Sequence, residues 1–197
     1  AGVQDLNLSD VNQDAVPDVF ALTSEELVVF SRSTPTEPWQ KFMAVAVHGP
    51  MKGLLVADLD RDLIIKAKPV ADPKATAPKQ GDKKEGVQAC QPADPDVVVF
   101  GPAGAQVFRN DLTDSGKREF VLVEQSPEFA ALRDVLAGVL ADVDHDGDLD
   151  LLLSTKTGLS VWANTGGMKF SEISSRSALP PAETAATSLV AVDWDRD

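Results

Sequence analysis

Cysteine and histidine are nearly missing from this sequence. One cysteine, Cys90, among 197 residues excludes an internal disulfide framework and any cysteine-rich zinc site. Two histidines, His48 and His145, supply little for histidine-based catalysis. There is no G-x-S-x-G elbow, no phosphate-binding loop and no Cys/His pair. No apolar run approaches the ~20 residues of a membrane-spanning helix. Ala1-Gly2-Val3-Gln4-Asp5 lacks the basic-then-apolar pattern of a signal peptide, so the compartment has to be argued from chemistry. Positive charge is short as well: 18 Lys and Arg stand against 31 Asp and Glu, a net of −13. A chain that acidic does not hold a polyanion by neutralising phosphates, which excludes nucleic acid as a partner. The apolar fraction of 43% is enough for a packed core and excludes wholesale disorder, and the length fits one domain or two small ones.

What is abundant is aspartate, and it is clustered. Asp142, Asp144, Asp146, Gly147, Asp148 and Asp150 form the pattern D-x-D-x-D-G-x-x-D. Side chains at positions 1, 3 and 5 of a tight loop turn onto one point. Gly at position 6 permits the sharp turn, position 7 offers its carbonyl and position 9 closes the shell. Such an all-oxygen cage suits a hard divalent cation, Ca2+ above all, and the crowded carboxylates repel one another without one. Asp10, Asn12, Asp14 and Asp18 hold positions 1, 3, 5 and 9 of the same frame, with Ala15 in place of Gly. Asp58, Asp60 and Asp62 begin another, and Asp193, Asp195 and Asp197 a fourth.

The loops repeat with their surroundings. An aromatic lies 12 residues after position 9: Phe30 after Asp18 and Trp162 after Asp150. Phe108 lies 12 after Asp96, which makes Asp96 the displaced position 9 of the loop at 58. A second aromatic follows in each unit, Phe42, Phe120 and Phe170. Loop starts at 10, 58, 142 and 193 are spaced by 48, 84 and 51 residues, and the middle spacing carries 30 additional residues. The period is then near 50 throughout, the signature of a repeat architecture.

Within each unit an apolar run precedes the loop (Leu54–Ala57, Val139–Ala141, Leu189–Val192), and a second follows it (Val19–Leu22, Val97–Phe100, Leu151–Leu153). A third carries the first aromatic, and a fourth follows the second, as in Phe120–Val123. The turns fall at residues 23–26, 101–104 and 156–158. Four antiparallel strands per unit predict an all-β fold of β-propeller blades, part of a larger ring of about seven blades. The expected units are 1–50, 51–125 with an insertion at 63–93, 126–178, and the start of a fourth at 179–197. Ser126 and Pro127 read as the N-cap and first turn of a short helix between units. An EF-hand is excluded because its position 12 would be Leu153 rather than Glu, and because strands rather than helices flank the loop.

These loops, their period and the strand after each resemble the FG-GAP/VCBS repeats, which build propellers in integrin α-subunits and in relatives of the cartilage acidic proteins. The string Phe100-Gly101-Pro102 follows a loop where the namesake motif precedes one, which favours the VCBS-like branch. The resemblance implies structural Ca2+ at Asp142, Asp144, Asp146 and Asp150 with the carbonyl of Asp148. It implies a second site at Asp10, Asn12, Asp14 and Asp18 with the carbonyl of Val16, and the split loop adds Asp58, Asp60, Asp62 and Asp96. The expected function is a non-catalytic, calcium-binding scaffold for protein interaction or cell adhesion. Its partner would be another protein or the remainder of its own propeller, in an extracytoplasmic setting where Ca2+ is millimolar. Two alternatives are a propeller enzyme whose pocket is completed by further sequence, and a Ca2+-dependent carbohydrate-binding module. The insertion carries six lysines against three acidic residues and several prolines, the composition of a solvated excursion, and Cys90 within it reads as a quiet free thiol. His145, at position 4 of its loop, is expected at the surface, His48 in a turn, and Trp39, Trp162 and Trp194 in packing roles.

Overall fold

The computed structural model describes residues 2–60, 94–176 and 185–192. It is all-β, with twelve strands in three four-stranded antiparallel sheets and one short helix among these residues. The first sheet holds β1 (Asp5–Ser9), β2 (Asp18–Leu22), β3 (Glu26–Ser31) and β4 (Gln40–Ala46). The second holds β5 (Gly53–Ala57), β6 (Asp96–Gly101), β7 (Gly104–Leu112) and β8 (Arg118–Leu122). After helix α1 (Pro127–Ala130) comes the third, with β9 (Val135–Ala141), β10 (Asp150–Thr155), β11 (Gly158–Asn164) and β12 (Phe170–Glu172). Each sheet is a simple meander in chain order.

The spacing of 12 residues between position 9 and the aromatic has a plain structural meaning. Val19 faces Phe30, Val97 faces Phe108 and Leu151 faces Trp162 across the same strand pair in each sheet. Strand alternation then sends Phe108 and Trp162 toward the preceding sheet. Phe108 and the half-buried Phe120 join Val97 and Val99 against Phe20, Leu22, Leu27 and Val29 of the first sheet. Trp162 and Phe170 join Leu151 and Leu153 against Val98, Phe100 and Val107 of the second. The middle sheet is therefore apolar on both faces, and Val97, Val98 and Val99 are all fully buried. The first strands of successive sheets also touch, β1 with β5 and β5 with β9.

Two local features set the seams. Gly53 pairs with Phe100, and a Cβ there would lie 2.2 Å from the Phe100 ring, so the ring occupies the space a side chain would need. The helix forms as its sequence indicates: Ser126 Oγ accepts the Phe129 N–H at 3.2 Å and Pro127 opens the first turn. It brings buried Phe129 edge-on to Trp162 at 5.1 Å and stacked on Phe170 at 5.7 Å. Gln125 ties this wedge to β12 from both ends of its amide, donating to the Met168 carbonyl and accepting the Phe170 N–H.

One expected strand is not formed. Residues 189–192 have no ladder, and Val190 and Val192 are 83% and 68% exposed. In the three sheets the strand before each loop pairs with the strand after it, and among the described residues 189–192 have no such partner. An apolar β-branched run without a neighbour leaves its backbone groups to solvent. Just before this segment, the Ala186 N–H donates to buried Ser154 Oγ of β10 at 2.9 Å.

Candidate metal loops

All three described aspartate loops join the first and second strands of their sheets, so they emerge at one end of the stack. Position 9 is in each case the first residue of the second strand: Asp18, Asp96 and Asp150.

The loops at 10 and 142 share four bonds, and the loop at 10 adds one from the Asp14 N–H to Asp10 Oδ1 at 3.1 Å. Position 1 accepts the N–H of position 6 (Asp10 from Ala15, 2.7 Å; Asp142 from Gly147, 3.0 Å). Position 3 accepts that of position 5 (Asn12 from Asp14, 3.1 Å; Asp144 from Asp146, 3.2 Å). Position 5 accepts that of position 7 (Asp14 from Val16, Asp146 from Asp148, both 2.8 Å). Position 9 accepts that of position 2 (Asp18 from Val11, Asp150 from Val143, both 2.9 Å). Backbone N–H groups thus hold the side chains turned inward, as the alternating spacing requires. The sharp bends fall at positions 4 and 6 in the left-handed region: Gln13 at φ 63° and Ala15 at 66°, His145 at 59° and Gly147 at 97°. His145 is exposed, as expected for position 4.

Carboxylate oxygens of Asp142, Asp144 and Asp146 lie within 4.8 Å of one another. Asp142 Oδ1 is buried with no hydrogen-bond partner. A buried, orphaned carboxylate oxygen beside two other carboxylates is costly unless a cation takes it. The donor set is all oxygen, which fits Ca2+.

The loop at 58 is rebuilt across the long excursion. Asp96 Oδ2 accepts the Leu59 N–H at 2.9 Å, the same bond from position 9 to position 2. Oxygens of Asp58, Asp60 and Asp96 lie within 4.8 Å of one another. Asp62, the fourth expected member, lies outside the described residues, as do the insertion, Cys90, Trp194 and the loop begun by Asp193, Asp195 and Asp197. Burial pushes the Asp96 carboxyl up to about 7, against two backbone N–H bonds that pull it down, while Asp60 and Asp94 add repulsion. Arg109 lies near enough to feel Asp60 and Asp96, but its guanidinium is held in a two-point pair by Asp111 at 2.5 and 2.8 Å.

In the loop at 10, Asp10, Asn12, Asp14 and Asp18 occupy the frame, but the three carboxylates do not converge as tightly as those of the other two loops. Burial again raises the Asp18 carboxyl. Ser31 lies close enough to offset part of this, yet Asp18 Oδ1 is buried without a hydrogen bond of good geometry. The reason is the residue 14 after position 9. In the other sheets that residue is asparagine, whose backbone N–H donates to position 9: Asn110 to Asp96 and Asn164 to Asp150, both at 2.9 Å. In the first sheet the equivalent residue is Arg32, and Asp18 Oδ1 receives no such bond.

Those asparagines are the residues that sequence reasoning missed. Asn110 Nδ2 donates to the Val11 carbonyl at 3.3 Å and Asn164 Nδ2 to the Leu59 carbonyl at 2.9 Å, each reaching position 2 of the preceding loop. A second spacing in the repeat, 14 residues after position 9, carries the signal. Elsewhere, the cleft lined by Arg133, Lys156, Ser160 and Trp162 has its cations occupied: Lys156 pairs with Asp134 at 2.7 Å, and Arg133 donates to the Ala130 and Leu132 carbonyls. No helix among the described residues is long and apolar enough to cross a membrane.

Compared with models of known families, residues 142–197 match the FG-GAP-like repeat. No curated protein matches the chain.

Proposed function

We propose that this chain, with its FG-GAP-like repeat at 142–197, is a calcium-binding scaffold built of repeated four-stranded blades. Ca2+ is held by Asp142, Asp144, Asp146 and Asp150 with the carbonyl of Asp148, by the matching set at 10–18, and by Asp58, Asp60 and Asp96. Its role is structural: it neutralises clustered carboxylates and fixes the turn between the first two strands. The observation that carries this reading is the buried, unpartnered Asp142 Oδ1 in a loop whose three carboxylates lie within 4.8 Å.

The sheets belong to a larger propeller, non-catalytic, and meet either further blades or another protein. Supporting this, the outer face of the first sheet exposes Leu6 and Leu8 at 60% and 66%, where the second and third sheets have their equivalent faces covered by a neighbour. Sites of this class suit millimolar Ca2+, hence an extracytoplasmic setting.

The test is thermal unfolding with Ca2+, with Mg2+ and with chelator. A site of dissociation constant ~0.1 mM gains ~2.7 kcal/mol at ~10 mM Ca2+. Mg2+ gives less, and Asp144→Ala with Asp146→Ala removes most of the gain. Superimposable melting curves with Ca2+ and with chelator would end this reading.

A further inference from the structure

We propose that Asn110 and Asn164 are positioning residues that couple the cation loops of successive repeats, so that a cation at one loop strengthens binding at the loop before it. The proposal rests on the reading of these loops as cation sites. Its own basis is one buried relay of hydrogen bonds.

Asp18 Oδ2 accepts the Val11 N–H, and the Val11 carbonyl accepts Asn110 Nδ2. The Asn110 backbone N–H donates to Asp96 Oδ1, and Asp96 Oδ2 accepts the Leu59 N–H. The Leu59 carbonyl accepts Asn164 Nδ2, and the Asn164 N–H donates to Asp150 Oδ1. Asp150 Oδ2 accepts the Val143 N–H. Val11, Asp18, Leu59, Asp96, Asn110, Asp150 and Asn164 are all 2% exposed or less. Water therefore does not compete for the bonds among these residues, and breaking one leaves a buried group unpaired.

The relay touches each loop at two places. Position 2 lies between the ligands at positions 1 and 3, so its peptide sets where those carboxylates stand. Position 9 is itself a ligand and also orients the asparagine of its own sheet. A cation at 142 that fixes Asp150 fixes Asn164, and through it the Leu59 peptide, before a cation enters at 58. Ordering already accomplished by the first cation is not repeated for the second, which is positive coupling, and it is reciprocal. The two links are not equal. Asn164 Oδ1 also accepts the Gly166 N–H at 3.2 Å and its donated bond is 2.9 Å, whereas Asn110 Oδ1 is unpartnered and its donated bond is 3.3 Å. Coupling between 142 and 58 exceeds that between 58 and 10.

The experiment uses the full chain with Asp10→Asn and Asp14→Asn, which silences the first loop. Ca2+ binding is followed by calorimetry with loop 142 intact and with Asp144→Ala plus Asp146→Ala. The loop at 58 is expected to weaken about fivefold when 142 is removed, the low end of ordinary coupling. In an Asn164→Ala background that difference vanishes. Asn164→Ser, which keeps a hydroxyl acceptor for Gly166, serves if Asn164→Ala does not fold. A measurement that leaves Asn164 untouched is amide exchange at Leu59 with Asp58→Asn and Asp60→Asn: Ca2+ at loop 142 should slow it. Equal affinity at 58 with and without loop 142, or coupling that survives at Asn164→Ala or Asn164→Ser, overturns this proposal alone. No Ca2+ binding in any form overturns the cation reading and this with it.

Discussion

Asp96 and Leu59 are hydrogen-bonded at 2.9 Å across 37 residues of chain, in the bond that Asp18 makes with Val11 and Asp150 with Val143 across only seven. Closing the longer segment costs about 1.5 kcal/mol more by chain statistics, a small charge for inserting so much sequence into a loop. The second sheet keeps the repeat's geometry because the bond at its mouth is the same.

Burial of Asp96 also makes the second loop pH-sensitive, against the pull of that bond. The Asp96 carboxyl is raised to about 7, so the metal-free folded state favours its neutral form. A raised carboxyl contributes stability below its unfolded value, near 4, and that contribution is lost as pH rises to about 7. With chelator present, the melting temperature should fall between pH 5 and pH 8, and Asp96→Asn should flatten that fall. Ca2+ competes with the proton, so affinity at the second loop should rise with pH and level off above about 7. Calorimetry in buffers of different ionisation enthalpy would register proton release at pH 6, and its absence would remove Asp96 from the site.

Ala15 sits at φ 66°, where the corresponding residue of the third loop is Gly147. A side chain in the left-handed region costs roughly 1 kcal/mol, partly offset by the lower unfolded-state entropy of alanine. Ala15→Gly should stabilise by about 0.5 kcal/mol in urea unfolding. A loss of stability would show that the turn carries no such strain.

Phe129 is 1% exposed and touches both Trp162 and Phe170. Phe129→Ala should cost about 3–5 kcal/mol and shift Trp162 emission as its environment loosens. A cost below ~1 kcal/mol would mean the helix rests on the seam without filling it.

Much of the fold was legible because a repeat states its own spacing several times. Phe30, Phe108 and Trp162 fall on one cross-strand position, and the same count of twelve identified Asp96 beyond the excursion. The turns and the Ser126 cap were legible because they are local chemistry. Leu189–Val192 reads like the other opening strands, but a strand exists only with a partner, and β-propensity says nothing about whether one is there. Nothing local marks Asn110 and Asn164, because the carbonyls they bond lie 99 and 105 residues away. Their importance comes from which carbonyl they meet, and only the stacking of sheets decides that.

The asparagine bonds run one way, from each sheet back to the one before it. Among the described residues the second sheet consequently has a giving face and a receiving face that are not interchangeable, while the first receives and the third gives. Two like faces brought together would place carbonyl against carbonyl or amide against amide at the buried position. Stacking through these bonds is therefore head-to-tail, a vectorial arrangement that a two-fold symmetric pair of sheets does not reproduce.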